Sequence, residues 1–236
     1  MKKLFPDLTD VDYQRAFQRA GGPIETHVRP GAPFDQTVKD FCEECNTGWM
    51  AALEREVEPI LTPLVQDQAA NVTADEQETI ARWATKTVLA FGPTNLDGVP
   101  IVSSNLYRWF GQWKVPLPGS IAWLARYTGT EQWPISFHLH GMVIARADQP
   151  MPDPASPTNG FHAVLALGPL VVCVFLADVP EGPVATGGSS DRRVLIWPTC
   201  GSSVRWPPPT AMASVAELQA ESRQTPDGMA APFSRS

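Results

Sequence analysis

A chain of 236 residues with 43% apolar side chains can bury a core in one large domain or two small ones. Its formal net charge of −7 argues against nonspecific nucleic-acid binding through bulk charge, since phosphate neutralisation needs clustered Lys and Arg, and the adjacent basic pairs are Lys2-Lys3 and Arg192-Arg193. The 24 prolines and 17 glycines fall between apolar runs without a fixed period, which excludes collagen-like and low-complexity chains.

The start, Met1-Lys2-Lys3-Leu4-Phe5-Pro6-Asp7, has basic residues but no apolar h-region, so it does not read as an ordinary secretory signal and the expected location is cytoplasmic. The first helix is predicted from Thr9 to Ala20, with Thr9 as cap, Tyr13, Phe17 and Ala20 on one face, and Gly21-Gly22 as the stop. A loop then leads to Cys42. From Gly48 the apolar residues Trp49, Leu53, Val57, Ile60 and Leu64 keep helical spacing, and Pro59 and Pro63 are expected to kink or divide that segment. The strongest helix signal follows: Thr73-Ala74-Asp75-Glu76 is a capping box ahead of the stripe Ile80, Trp83, Ala84, Thr87 and Val88, with Gly92-Pro93 as terminator. After a short strand predicted from Val99 to Val102, Ser104 can cap a helix carrying Leu106, Trp109, Phe110 and Trp113 at i, i+3, i+4 and i+7. That aromatic stripe reads as core rather than as a base-stacking platform.

Beyond Pro118 the runs become strand-like: Ile121 to Tyr127, Ile135 to Ala145, Phe161 to Leu167, Leu170 to Ala177 and Arg193 to Trp197, separated by Pro, Gly and Asp. They predict a mostly antiparallel sheet. Gln149 to Gly160 reads as a Pro-rich loop, and Pro207-Pro208-Pro209 precedes a short helix from Val215 to Ser222 and a frayed tail. The longest apolar run, Ala163 to Ala177, is interrupted by Gly168-Pro169 and is too short to span a bilayer, so it predicts a buried hairpin. The order of elements is that of an α+β fold.

Chemistry concentrates in Cys42-Glu43-Glu44-Cys45-Asn46-Thr47-Gly48-Trp49-Met50. Structural zinc takes four ligands, commonly from two close-spaced Cys pairs, and this chain has one such pair, Cys42 and Cys45, half a site. The longer run from Val38 through Glu54 resembles the second Cys pair of a group of bacterial HNH-endonuclease-like proteins, which read roughly Cys-x-x-Cys-Asn-x-Gly-Trp-Met-x-x-Leu-Glu. The resemblance continues in Ala81-Arg82-Trp83-Ala84-Thr85-Lys86-Thr87, in Ile196-Trp197-Pro198 and in Trp206-Pro207-Pro208, although the Cys motif is its specific part.

The resemblance implies that Cys42 and Cys45 are two of four thiolates on a structural zinc, and that Asn46 matches the middle Asn of the pattern, with a positioning role. The family pattern also has, upstream, a first Cys pair and an acidic residue followed by His, the general base; this chain shows neither, and Met1 to Leu8 is similar to the stretch that would follow that His. A divalent ion such as Mg, and cleavage of DNA, are implied only for a form with that catalytic half, so the 236 residues are expected to be inactive by themselves. The alternative is a non-catalytic binding or scaffold protein that keeps the family fold. The expected organisation is a partial HNH-like module with helices around a partial zinc knuckle over 1–66, a helical and then antiparallel sheet domain over 67–212, and a short helix with a tail over 213–236.

Other constellations are weaker. His27 in Glu25-Thr26-His27-Val28-Arg29-Pro30 is flanked by an acidic residue and a Pro, but Thr26 interrupts the acidic-His pair. His138 and His140 project from one face of an extended run and need a third ligand that the strand itself does not supply. A redox dithiol at Cys42 and Cys45 is opposed by Glu43 and Glu44 and by the lack of a βαβ context. Glu54 and Glu58 read as a solvated helix face, and Cys173 and Cys200 as ordinary thiols. There is no Gly-rich phosphate loop and no Gly-x-Ser-x-Gly elbow.

Overall fold

The computed structural model describes residues 13–18, 24–29, 42–91, 104–116, 118–130, 135–142, 159–178 and 190–222. It is an α+β fold with a mostly antiparallel sheet. The first element departs from expectation: Tyr13–Gln18 is a strand (β1), paired antiparallel with Ile24–Arg29 (β2) in the register Tyr13↔Arg29 to Gln18↔Ile24. Tyr13 and Phe17 fit an alternating pattern as well as a helical one, and pairing with the β-branched run Ile24, Thr26, Val28 decides between them.

A single turn, Glu43–Cys45 (α1), and a wide turn, Asn46–Met50, lead into α2, Ala51–Val65. Gly48, at φ −87° and ψ −109°, breaks the helical geometry between them. Of the two outcomes expected of the prolines, a kink or a division, division does not occur: Pro59 and Pro63 lie within one continuous helix. Their missing N–H groups cost hydrogen bonds, but Leu53, Val57, Leu61 and Leu64 bury the opposite stripe and hold the helix together. Asp67, in the left-handed region at φ 57°, ends the element, and its carboxylate takes Arg126 in two hydrogen bonds, tying the helix end to the sheet.

The helix Ala74–Phe91 (α3) starts as the sequence predicts. Glu76 N–H donates to Thr73 Oγ1 at 3.3 Å while Thr73 N–H donates to Glu76 Oε2 at 2.8 Å, a reciprocal capping box. Thr73→Ala removes one half of it and is expected to lower stability by about 1 kcal/mol in a urea titration. Behind the cap, buried Gln77 donates to Val72 O at 3.0 Å and Ser202 O at 2.7 Å, anchoring α3 to a small two-stranded sheet of β3 (Ala70–Val72) and β9 (Val204–Trp206). The next helix, α4, spans Ser104–Trp113, so Ser104 lies inside it rather than capping it. Leu106 and Phe110 are buried and Trp109 packs against the core, but Trp113 is 55% exposed, so the aromatic stripe is only partly core. The strand predicted over 99–102, most of the loop over 149–160 and the tail beyond 222 lie outside the described residues.

The main sheet runs in the order β10 (Ala211–Met212), β4 (Ile121–Tyr127), β7 (Leu170–Ala177), β6 (Gly160–Leu167), β5 (Ile135–Met142), with β8 (Arg193–Trp197) also paired to β4. All pairings but β10 with β4 are antiparallel. β6 and β7 are buried along nearly their whole length because both faces are covered. One face, with Ala122, Leu124, Ala163, Leu165, Val172 and Val174, packs on α2, α3 and α4; the other, with Trp123, Val164, Cys173 and Phe175, packs on α5 (Val215–Ser222) through Leu218. No described helix is long and apolar enough to cross a membrane.

The cap of α5 responds to pH. Glu217 N–H donates to Ser214 Oγ at 3.3 Å, and Glu217 in return accepts the Ala213 N–H and Arg192. The Ala213 hydrogen bond is the largest cause holding the Glu217 carboxyl below its ordinary value; slight burial opposes it and Arg192 adds to it. A depressed folded value means that this stabilisation is present above the ordinary carboxylate range and is lost as pH falls through the folded value. Amide protection in α5, taken relative to intrinsic exchange rates, is therefore expected to fall as pH drops below the ordinary carboxylate range, and Glu217→Gln to remove that dependence.

Candidate functional site

The Cys motif folds as a compact hook at the start of the helical layer. Cys42, extended at φ −63° and ψ 151°, places its Sγ to accept the Cys45 N–H at 3.2 Å, and Cys42 O accepts the Asn46 N–H at 3.0 Å. The two sulfurs, three residues apart on one turn, therefore face the same side, with Cys42 exposed and Cys45 half-buried. Thr47 Oγ1 donates to Glu43 O at 2.8 Å and closes the hook.

Trp49 fixes the hook to the body. Its ring meets Phe110 edge-on at 5.7 Å between centroids, and the Lys114 ammonium lies 4.5 Å from its ring centre. Met50 is buried beneath. Asn46 is exposed and borders an open concavity of ≈ 330 Å³ together with Met50, Ala51, Glu54, Arg55 and Lys86.

Glu54 corrects the expectation of a purely solvated face. Its carboxylate pairs with the buried Lys86 and accepts the Trp83 Nε1–H at 3.2 Å. The last residue of the Cys-motif run is thus joined to two residues of the Ala81-to-Thr87 segment. Arg82 lies 3.9 Å from Glu56 and donates to Lys114 O at 2.9 Å, closing a polar seam among α2, α3 and the end of α4.

The two thiols titrate in opposite directions. The Cys42 thiol is lowered, first by its side-chain hydrogen bond with Cys45 and then by the Cys45 N–H, while the Cys45 thiol is raised, first by the same side-chain bond and then by burial. Cys42 ionises first, and a soft cation can take the place of the shared proton. The donors fit one half of a zinc grip. Among the described residues the pair gains no third His, Cys, Asp or Glu at ligand distance; the group of three that does form is elsewhere.

That group is His162, Cys173 and Glu221, whose ligand atoms all lie within 4.8 Å of one another in a buried setting. Nothing in the linear sequence joins them, because they come from two strands and α5. The available signal was the alternation: His138 and His140 on β5 do share a face, and the register His140↔His162 extends that face to β6. Cys173, an ordinary thiol by sequence, is set apart by its surroundings: its burial, and next Glu221, push that thiol well above its ordinary value. His27 lies on β2. Compared with protein-family models, with curated proteins and with solved structures, the chain has no match in any of the three.

Proposed function

We propose that this chain is an HNH-endonuclease-like protein in which Cys42 and Cys45 hold one side of a structural zinc, Asn46 is a positioning residue, and these 236 residues bind without cutting. The observation that carries the reading is the hook: both sulfurs on one side of a turn, braced by the Cys45 N–H and pinned through Trp49. The Glu54 link to Trp83 and Lys86 supports it further, because two segments that carry the resemblance meet in one polar contact. Zinc supplies rigidity here, since it neutralises two thiolates and holds the turn closed. Asn46, a neutral amide at the rim of the concavity, can orient a ligand but cannot take a proton, so it is no general base.

Of the described histidines, His138, His140 and His162 stand on the α5 side of the sheet, across it from Asn46 and α2. Base catalysis beside Asn46 therefore requires a group beyond these three, and magnesium belongs only to a form that has one. DNA is the partner the resemblance implies, met by local rather than bulk charge: Arg55 lies beside Asn46, whereas Lys86 in the same concavity is buried and already paired with Glu54. The setting is cytoplasmic, where four free thiols stay reduced. In a plasmid-nicking assay with Mg²⁺ or Mn²⁺, the full chain is expected to give no cleavage above a chelator control. Robust metal-dependent nicking that Cys42→Ala abolishes would contradict the non-cutting part of this reading.

A further inference from the structure

We infer that the sheet face beneath α5 carries a second metal site, separate from the Cys hook, in which His162, Cys173 and Glu221 bind a zinc-like divalent ion with His140 as fourth ligand. Three of the chain's four histidines occupy this face: His162 on β6 lies directly opposite His140 on edge strand β5, and His138 is two residues away on the same side. Cys173 sits one strand over, paired with Val164 and Trp123, so it is diagonal to His162. Glu221, one turn past the buried Leu218, brings a carboxylate down from α5.

The donor set is one imidazole, one sulfur and one carboxylate, all of which zinc accepts, and the imidazole of His140 makes four. The ligand atoms of His162, Cys173 and Glu221, within 4.8 Å of one another, are close to three corners of a tetrahedral cage, and His140, outside that group, has to turn in from β5 to fill the fourth. Zinc bonds of about 2.0–2.3 Å require separations of roughly 3.3–3.8 Å, so a contraction of about 1 Å by side-chain rotation brings these three to bonding distance. The thiolate and the carboxylate neutralise the divalent charge.

Arg193 is built as the outer support. Its guanidinium donates to Glu221 Oε1 at 2.8 Å and lies 4.7 Å from the Trp123 ring centre, which leaves the second carboxylate oxygen for a metal while fixing the orientation of the first. Among the described residues β5 is the outermost strand of the sheet, and His138 and His140 on it are only partly buried, so their side is the route in for an ion.

The test uses the full chain carrying Cys42→Ser and Cys45→Ser, which silences the hook, titrated with Co²⁺ as the probe. The expected result is one equivalent of cobalt with a thiolate-to-metal charge-transfer band and tetrahedral d–d absorption. Cys173→Ser in that background should abolish the charge-transfer band while circular dichroism stays that of a folded chain, and His140→Asn should weaken cobalt binding at least tenfold with the band retained. If Cys173→Ser fails to fold, Glu221→Gln serves in its place, with the same tenfold weakening expected. A charge-transfer band that never appears, that survives Cys173→Ser, or that is unmoved by both His140→Asn and Glu221→Gln overturns the site. Because the hook is absent throughout, this outcome is independent of the proposed function.

Discussion

Arg193→Met in the metal-free chain is expected to lower stability by about 3–5 kcal/mol, the range for breaking a buried pair by removing one partner. The side chains of Arg193 and Glu221 are 12% and 8% exposed and meet at 2.8 Å, so solvent screens the pair little. Methionine keeps most of the arginine stem, and the loss is therefore electrostatic rather than a packing defect: Glu221 stays buried without its countercharge, and Trp123 loses the cation on its ring. Combining Arg193→Met with Glu221→Leu should recover most of that loss, since an apolar pair of similar volume often matches a buried ion pair. Urea midpoints of the two single variants and the double variant measure the coupling. A single-variant loss below about 1 kcal/mol, the level of a surface pair, would show that the contact does not hold α5 to the sheet.

Trp83→Ala should cost a similar amount, about 3–5 kcal/mol, for a different reason. Trp83 is 1% exposed in the core shared by α2, α3 and the sheet, so alanine leaves a cavity that rigid neighbours on three sides cannot close. The substitution also removes the indole donor that holds Glu54 at 3.2 Å, which loosens the countercharge of the buried Lys86. Trp83→Phe keeps most of the ring volume and loses the donor, so it should cost less than half as much. Comparable losses from the two variants in thermal and urea unfolding would mean that the hydrogen bond, rather than the volume, dominates at this position.

What the sequence made legible follows the strength of local signals. Continuous apolar runs bounded by Gly and Pro predict β4, β7 and β8 at their observed bounds, and the Thr73 and Glu76 capping box predicts the start of α3. Tyr13–Gln18 is a strand where the sequence predicts helix because six residues satisfy two periodicities, and only the pairing with Ile24–Arg29 separates them. β3 and β9 escape notice for the same reason in stronger form: three-residue strands carry no period, and they exist because Val72 and Trp206 are buried where the chain returns over α3. Pro59 and Pro63 do not divide α2, since tertiary burial of the opposite stripe outweighs two missing hydrogen bonds.

Site legibility divides along the same line. Cys42, Cys45 and Asn46 are contiguous, so the sequence displays the hook directly, down to the turn that aligns the sulfurs. Glu54 reads in sequence as a solvated acid because its partners Trp83 and Lys86 belong to another helix. His162, Cys173 and Glu221 converge only through strand register and the docking of α5, and Arg192-Arg193, which in sequence looks like a basic surface pair, is directed onto Glu217 and Glu221 of that helix.

The central claim is that the hook grips metal through both of its sulfurs, and a Co²⁺ titration of the full chain carrying Cys173→Ser tests it most directly. Because the hook is half a grip, the thiolate-to-metal charge-transfer band should rise only with cobalt in excess over protein, reach the intensity of two thiolates, and fall away with Cys42→Ser. The absence of any thiolate band at saturating cobalt, or a band that Cys42→Ser leaves unchanged, would contradict it.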